Sequence, residues 1–277
     1  MRLVVCPTPI GNLEDVTLRV LSALREADVV ACEDTRRSRK LLDRYGVNAK
    51  LVSYHEHNEQ QRSRELVERM KAGETVALVS DAGMPLVSDP GFVLVRACVS
   101  AGLAVEVLPG PSAAIAALVA SALPAERWRF AGFLPRKKGD LRRVLSEGGG
   151  TLVAFESPRR IPATLSLLAQ IDPERQVAVC RELTKIHEEV VRGGAAELAE
   201  RYFGAAPKGE VVLVLGPSAA DRSEGRGEAG ADGSGRPAGL EQVRRLVESG
   251  AKPRVAAGAV AELTGGSANA LYRALTG

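Results

Sequence analysis

The stretch Ser80-Asp81-Ala82-Gly83-Met84-Pro85-Leu86-Val87-Ser88-Asp89-Pro90-Gly91 decides the fold. It follows Thr75-Val76-Ala77-Leu78-Val79, a short apolar run that predicts a buried strand. It precedes an apolar run over residues 92–99 with helical start signals: Asp89 is placed to act as N-cap, Pro90 suits the first helical position, and Gly102 closes the segment. The stretch is therefore expected to be a loop at the carboxyl end of a strand, leading into a helix, which is where open α/β sheets bind ligands. Its paired aspartates, glycines and prolines favour a stiff backbone that a ligand can approach closely. A plain strand-to-helix connection also needs turn residues, so composition alone leaves both readings open.

The same rhythm runs outward in both directions. Residues 2–6 read as a strand followed by the loop 7–12, and Thr17 is positioned to cap a helix with Leu18, Leu21, Ala23 and Leu24 on one face. A second strand, 28–32, ends at Glu33-Asp34-Thr35-Arg36 and is followed by a helix that stops at Gly46. A polar loop at 53–59 leads to a helix over 60–71. Residues 105–108 form a strand, and Ser112 is placed to cap an alanine-rich helix over 113–120. Further strands are expected at 151–155, 176–180 and 210–215, with residues 130–138 as the connection before them. Strand, polar loop and helix in repetition predict an α/β fold: two α/β domains, 1–122 and 123–216, with a cleft between them. Residues 217–238, rich in Gly, Ala, Ser, Arg and Glu without apolar periodicity, read as a flexible linker. A small helical C-terminal module, 239–277, holds three helical patterns at 240–247, 255–263 and 271–275; pattern alone fits a helix-turn-helix or a plain helical cap.

The chain has 277 residues, 45% of them hydrophobic, enough to bury a core in each of two domains. A net charge of +3 does not by itself mark a nucleic-acid binder, yet the cations are clumped at 36–40, 136–143 and 159–160. The four cysteines lie far apart in apolar runs and read as small buried residues of a reducing compartment. No secretory leader pattern precedes the first strand, and the longest run of small apolar residues falls short of the ~20 residues of a membrane helix, so a cytoplasmic location is expected. The chain has no GxxxxGK[ST] loop and no GxGxxG turn after the first strand, which weakens nucleotide and dinucleotide readings, and no metal site is expected from the His and Cys spacing.

Seven motifs in order carry a resemblance. They are Pro7-Thr8-Pro9-Ile10-Gly11-Asn12-Leu13-Glu14-Asp15, Glu33-Asp34-Thr35-Arg36, the 80–91 loop, Pro109-Gly110-Pro111-Ser112-Ala113, Gly132-Phe133-Leu134-Pro135, Glu156-Ser157-Pro158-Arg159-Arg160 and Arg181-Glu182-Leu183-Thr184-Lys185-Ile186-His187-Glu188. Together they resemble the tetrapyrrole-methylase-like class of S-adenosylmethionine-dependent methyltransferases, from residue 2 to 216 and again at Leu271-Tyr272. Within that class they are similar to the branch that methylates the 2′-oxygen of a cytidine in small-subunit ribosomal RNA. The resemblance implies a homodimer that holds S-adenosylmethionine in the cleft between the domains. The positions implied for the cofactor are Pro9, Ile10, Gly11, Asp81, Ala82, Gly83, Met84, Ser112, Ala113, Phe155, Glu156, Leu183, Gly209 and Glu210.

Methyl transfer to a ribose hydroxyl demands alignment and a route for the departing proton. Asp34 or Glu188 is the expected proton acceptor, with Arg36 and Lys185 holding phosphate or stabilising the alkoxide. The alternative for these four residues is a structural ion pair joining the domains. One departure from the family pattern lies in the tail, where Gly266-Ser267-Ala268-Asn269 lacks the usual lysine and weakens the case that the tail grips RNA. Rival readings are a tetrapyrrole or protein-histidine substrate, and a non-catalytic RNA-binding module.

Overall fold

The computed structural model describes residues 1–219, 221, 239–264 and 267–276. Its first sheet contains β1 (Arg2–Cys6), β2 (Val29–Cys32), β3 (Leu51–Ser53), β4 (Thr75–Val79) and β5 (Val105–Val107) in the order β3-β2-β4-β1-β5, all parallel. The central strands are apolar at nearly every position because both faces are covered. Strand alternation sorts the side chains: Val4, Cys6, Val30, Cys32, Ala77 and Val79 pack beneath α1 (Leu18–Glu26) and α2 (Thr35–Arg44). Leu3, Val5, Val29, Ala31, Val76 and Leu78 meet α3 (Glu59–Lys71) and α4 (Phe92–Ser100) on the other face.

Local readings shift in three places. In α1 the Thr17 hydroxyl accepts from the Val20 amide as expected, but the buried stripe is Val20, Leu21 and Leu24, and Leu18 is 82% exposed. The polar loop expected at 53–59 begins within the short edge strand β3, too brief to show a period. α4 starts at Phe92 with Gly91 at its N-cap, so Asp89 and Pro90 remain in the loop. Gly91 has φ +139, and a Cβ there would lie 2.7 Å from Leu86 Cδ1, so this position requires glycine.

The second sheet, β6-β7-β10-β8-β9, comprises β6 (Trp128–Phe133), β7 (Thr151–Glu156), β8 (Gln176–Arg181), β9 (Glu189–Gly194) and β10 (Val211–Leu215). Only β6 and β7 are parallel; the other neighbours are antiparallel. The segment expected to be a connection at 130–133 is thus the end of strand β6. The helices α6 (Lys138–Ser146), α7 (Ile161–Ile171) and α8 (Ala195–Arg201) bury one face of the sheet. The other face receives α5 (Ala113–Ser121), whose Ala114, Ala117 and Leu118 pack on Val153, Ala178, Cys180, Val212 and Val214. Alanines let α5 lie close, and by packing this helix goes with the second sheet, although a division at residue 122 groups it with the first.

In the tail, α9 (Leu240–Glu248), α10 (Pro253–Thr264) and α11 (Ala268–Thr276) bury Leu240, Val243, Ala257, Val260 and Leu271 among themselves. Apart from 217–219 and 221, the expected linker lies outside the described residues. Among the described residues no helix is long and apolar enough to cross a membrane.

Candidate active site

The carboxyl ends of β1, β2 and β4 face the second sheet across a cleft of 420 Å³. The loop after β1 contributes Ile10, and the loop after β4 contributes Asp81, Ala82, Gly83, Met84, Val87, Ser88 and Asp89. Two backbone hydrogen bonds bind these loops together, Thr8 N–H to Gly83 O at 2.8 Å and Gly83 N–H to Thr8 O at 2.9 Å. The Thr8 hydroxyl donates to Ser80 O, and the Ser80 hydroxyl donates to Gly83 O. Leu86 (φ +72) and Ser88 (φ +66) occupy the left-handed region without being glycine, a local strain that collects at functional loops.

The opposing wall is Phe133, Phe155, Glu156, Ser157, Pro158, Cys180, Leu183 and residues 209–212. Ser112 stands at the N-cap of α5 but makes no side-chain cap bond, and it lines the cleft with Ala113. Of the positions implied for a cofactor, the structure brings together Ile10, Asp81, Ala82, Gly83, Met84, Ser112, Ala113, Phe155, Glu156, Leu183, Gly209 and Glu210. Pro9 lines a separate cavity of 60 Å³ instead. Gly11 sits against the 182–188 loop, where a Cβ would lie 2.5 Å from Lys185 Cγ; beside it the Asn12 amide donates to Thr184 Oγ1 at 3.0 Å. These contacts lock the first domain's leading loop to the second domain.

None of Asp34, Arg36, Lys185 and Glu188 lines the cleft. Asp34 caps α2, accepting from the Arg36 amide at 2.8 Å and from its guanidinium at 2.8 and 3.1 Å. Those bonds hold its carboxyl far below the usual carboxylate range, which makes it a poor proton acceptor. Lys185 donates to Glu182 and Glu210, each at 2.9 Å, and Glu188 accepts from the Thr184 amide at 2.6 Å. The ion pairs are local to each domain and do not bridge them; the Asn12–Thr184 bond does.

Sequence reasoning missed Glu33, Arg37 and Asp89 as cleft residues. Burial, and then the neighbouring Glu33 charge, push the Asp89 carboxyl up to about 6. Burial, followed by Asp81, also raises Glu33. The signal for Glu33 was its place directly after β2; Asp89 was masked because Asp-Pro-Gly reads as a cap. Glu156, only 3% exposed, is committed to the Ser157 amide, the Thr164 hydroxyl and Arg160. The lining thus carries the carboxylates Glu33, Asp81, Asp89, Glu156 and Glu210 and the cation Arg37; Asp81 pairs with Arg37, Glu156 with Arg160 and Glu210 with Lys185, which leaves Glu33 and Asp89 outside these pairs. Outside it, Arg36, Arg39, Lys40, Arg136, Lys137, Lys138, Arg142, Arg143 and Arg159 are exposed. An acidic interior beneath a basic exterior suits a compact cationic ligand inside and a polyanion outside.

Residues 2–199 match the family model of tetrapyrrole (corrin/porphyrin) methylases. A protein of Mesorhizobium japonicum named ribosomal RNA small subunit methyltransferase I is 45% identical over 97% of this chain and 89% of its own length. One of the same name from Halalkalibacterium halodurans is 47% identical over 80% of this chain and 75% of its own. Among solved structures, uroporphyrin-III C-methyltransferase from Thermus thermophilus, complexed with S-adenosyl homocysteine, aligns with a TM-score of 0.56 at 23% identity, over 78% of this chain and 97% of that one. At that identity the likeness shows a shared fold.

Proposed function

This chain belongs to the tetrapyrrole (corrin/porphyrin) methylase family, and on that premise we propose that it methylates the 2′-oxygen of a cytidine in small-subunit ribosomal RNA, using S-adenosylmethionine. The observation that carries the reading is the contrast between the acidic cleft and its basic surroundings, together with relatives named for ribosomal RNA methylation.

The residues present fit the cofactor. The cleft volume of 420 Å³ lies within the ~300–1,000 Å³ of ordinary small-molecule sites. Ile10, Met84 and Phe155 offer apolar wall for an adenine, while Asp81, Ser112 and Glu210 offer acceptors for amino and hydroxyl groups. Gly83 (φ +84) and Gly209 (φ +87) bring backbone to the surface of the cleft. When bound there, S-adenosylmethionine supplies a methyl group activated by a sulfonium. The protein's own work is to orient the ribose, exclude water and accept the hydroxyl proton. Glu33 and Asp89 suit proton acceptance better than Asp34 or Glu188, because they line the cleft and their carboxyls are raised toward neutrality. Arg36 remains an exposed cation for phosphate, whereas Lys185 is engaged by Glu182 and Glu210; the clumps at 136–143 and 159–160 extend the basic surface onto the second domain.

Association as a homodimer is part of the same proposal. Phe92 and Val99 of α4, Val107 of β5 and Val119 of α5 are 64%, 65%, 59% and 75% exposed, a set of apolar side chains that a second copy would cover. The substrate is read as the assembled small subunit in the cytoplasm.

The test is methyl transfer from labelled S-adenosylmethionine to small ribosomal subunits from cells lacking this protein, followed by mapping of the modified nucleotide. One new 2′-O-methylcytidine is the expected result. Cofactor binding without label in RNA would overturn the substrate and return the choice to a tetrapyrrole or a protein.

A further inference from the structure

Phe133 is a large apolar side chain that lines the cleft and is nevertheless 67% exposed. Its position is the product of a break in β6. Strict alternation would place Phe130 toward α5 and send Ala131 and Phe133 together to the opposite face, where Ala131 does pack. The β6–β7 register shifts between Phe130 and Phe133, and Gly132 takes φ +62. This bulge turns Phe133 back toward the cleft, a common use of such irregularities beside active sites.

The ring is also held firmly. It stands edge-on to Phe155 with centroids 5.4 Å apart, and Phe155 in turn stands edge-on to Phe130 at 5.0 Å. The next residue, Leu134, is buried in the α6–α7 core, and its amide donates to Phe155 O at 3.0 Å. The Arg160 guanidinium donates to the carbonyls of Leu134 and Pro135. An exposed aromatic ring braced by Phe155 thus lines the cleft; the exposed cations Arg136, Lys137 and Lys138 follow it closely in the chain, and the exposed Arg159 follows the lining residue Pro158.

Taking the RNA reading above as its basis, we infer that Phe133 is the stacking platform for the nucleobase whose ribose enters the cleft. A base freed from its neighbours needs a replacement π-surface, and enzymes acting on single-stranded segments supply one beside cations that hold the backbone. The bulge, the edge-to-face cluster of three rings and the nearby exposed cations supply these features, and the ring acts without sequence-specific bonds.

The experiment uses the full chain, an RNA hairpin with a cytidine in its single-stranded loop, and the same hairpin made abasic at that cytidine. Phe133→Ala is expected to weaken binding of the intact hairpin by about 5- to 150-fold. It should bind the abasic hairpin like the wild type and keep its affinity for S-adenosylhomocysteine. Phe133→Tyr should retain hairpin binding. Phe133→Trp, made with Trp128→Phe so that one indole remains, should lose fluorescence on adding the intact hairpin and not on adding S-adenosylhomocysteine. Hairpin binding by Phe133→Ala equal to wild type overturns the stacking role alone. A loss of S-adenosylhomocysteine affinity in Phe133→Ala overturns it in favour of a cofactor wall. Wild type that binds ribosomal subunits and not the hairpin moves the same comparison to subunits, where Phe133→Ala binding equal to wild type overturns the stacking role; wild type that binds neither overturns the RNA reading and the inference together.

Discussion

The Asp81 carboxylate accepts the backbone N–H of Asp34 at 3.0 Å and pairs with Arg37 at 3.3 Å, joining the loop after β4 to the start of α2. A residue expected to meet the cofactor is therefore also a structural tie between two loops. Asp81→Ala leaves a partly buried amide without its acceptor, with an expected cost of about 1–3 kcal/mol. Asp81→Asn keeps an acceptor oxygen and should cost less. Thermal melts of both variants, beside titration with S-adenosylhomocysteine, separate the tie from ligand contact: Asp81→Asn should approach wild-type stability yet bind the ligand more weakly.

Asp89 gives an unusual pH dependence. Its folded pKa of about 6 lies above the ordinary 3.8, so between these values the native state holds a proton that the unfolded state has released. Its contribution to stability therefore falls as pH rises through that window and is flat above it; Glu33, raised by burial and Asp81, adds the same sign. Asp89→Asn is expected to remove most of this slope and to stabilise the protein at pH 8 by an amount on the order of 1–3 kcal/mol. Denaturant melts across pH 4–8 check this, and an unchanged slope would refute it. If Asp89 also accepts the substrate proton, the same variant loses turnover at every pH while still binding S-adenosylhomocysteine.

Gly209 lies at φ +87, and a Cβ there would stand 2.4 Å from Glu182 Cδ. Gly209→Ala must displace Glu182, which receives both Lys185 Nζ and the Glu210 amide. The expected outcome is a loss of about 1–3 kcal/mol, from backbone strain and the broken network, with weaker S-adenosylhomocysteine binding. Gly46→Ala, also at positive φ (+60) but with open space around its Cβ, is the control: it should destabilise through backbone strain and leave binding intact.

Asp34 and Arg36 should separate by assay. Asp34→Ala removes the cap of α2 and should lower the melting temperature without changing S-adenosylhomocysteine affinity. Arg36→Ala removes an 88%-exposed cation, so RNA affinity should fall and its logarithmic salt dependence should flatten by about one. Equal salt slopes for variant and wild type would place Arg36 off the RNA path.

Much of the site was legible because the rule that places it is topological. In a parallel sheet the loops after β1, β2 and β4 emerge on one side, so polar residues directly after apolar strands converge. Asp81, Gly83 and Ser112 follow that rule. Glu188 and Lys185 also follow an apolar strand in sequence, yet Glu188 turns to the Thr184 amide and Lys185 to Glu182 and Glu210, since no local pattern shows which way a side chain turns at the end of a strand. Asp89 was hidden because Asp-Pro-Gly fits both an N-cap and a strained loop; Gly91, at φ +139, is outside the helical region and is itself the N-cap, so the helix starts at Phe92.

By itself, the sequence determined four strands of the first sheet and three of the second, the ligand end of the first sheet and the family, because period, turn chemistry and motif order act over a few residues at a time; the short edge strand β3, the bulged β6, β9 and the helices of the second domain escaped it. Only tertiary structure decided that α5 packs on the second sheet, that Gly11 serves the lock between the domains, and that Phe133 turns into the cleft. Each of these depends on a partner distant in the chain. α5 meets β10 nearly a hundred positions later, Gly11 meets Thr184, and the β6 bulge has meaning only against its register with β7. The burial that raises Asp89 and the bonds that lower Asp34 set two aspartates of one chain to opposite uses, and only the packed site distinguishes them.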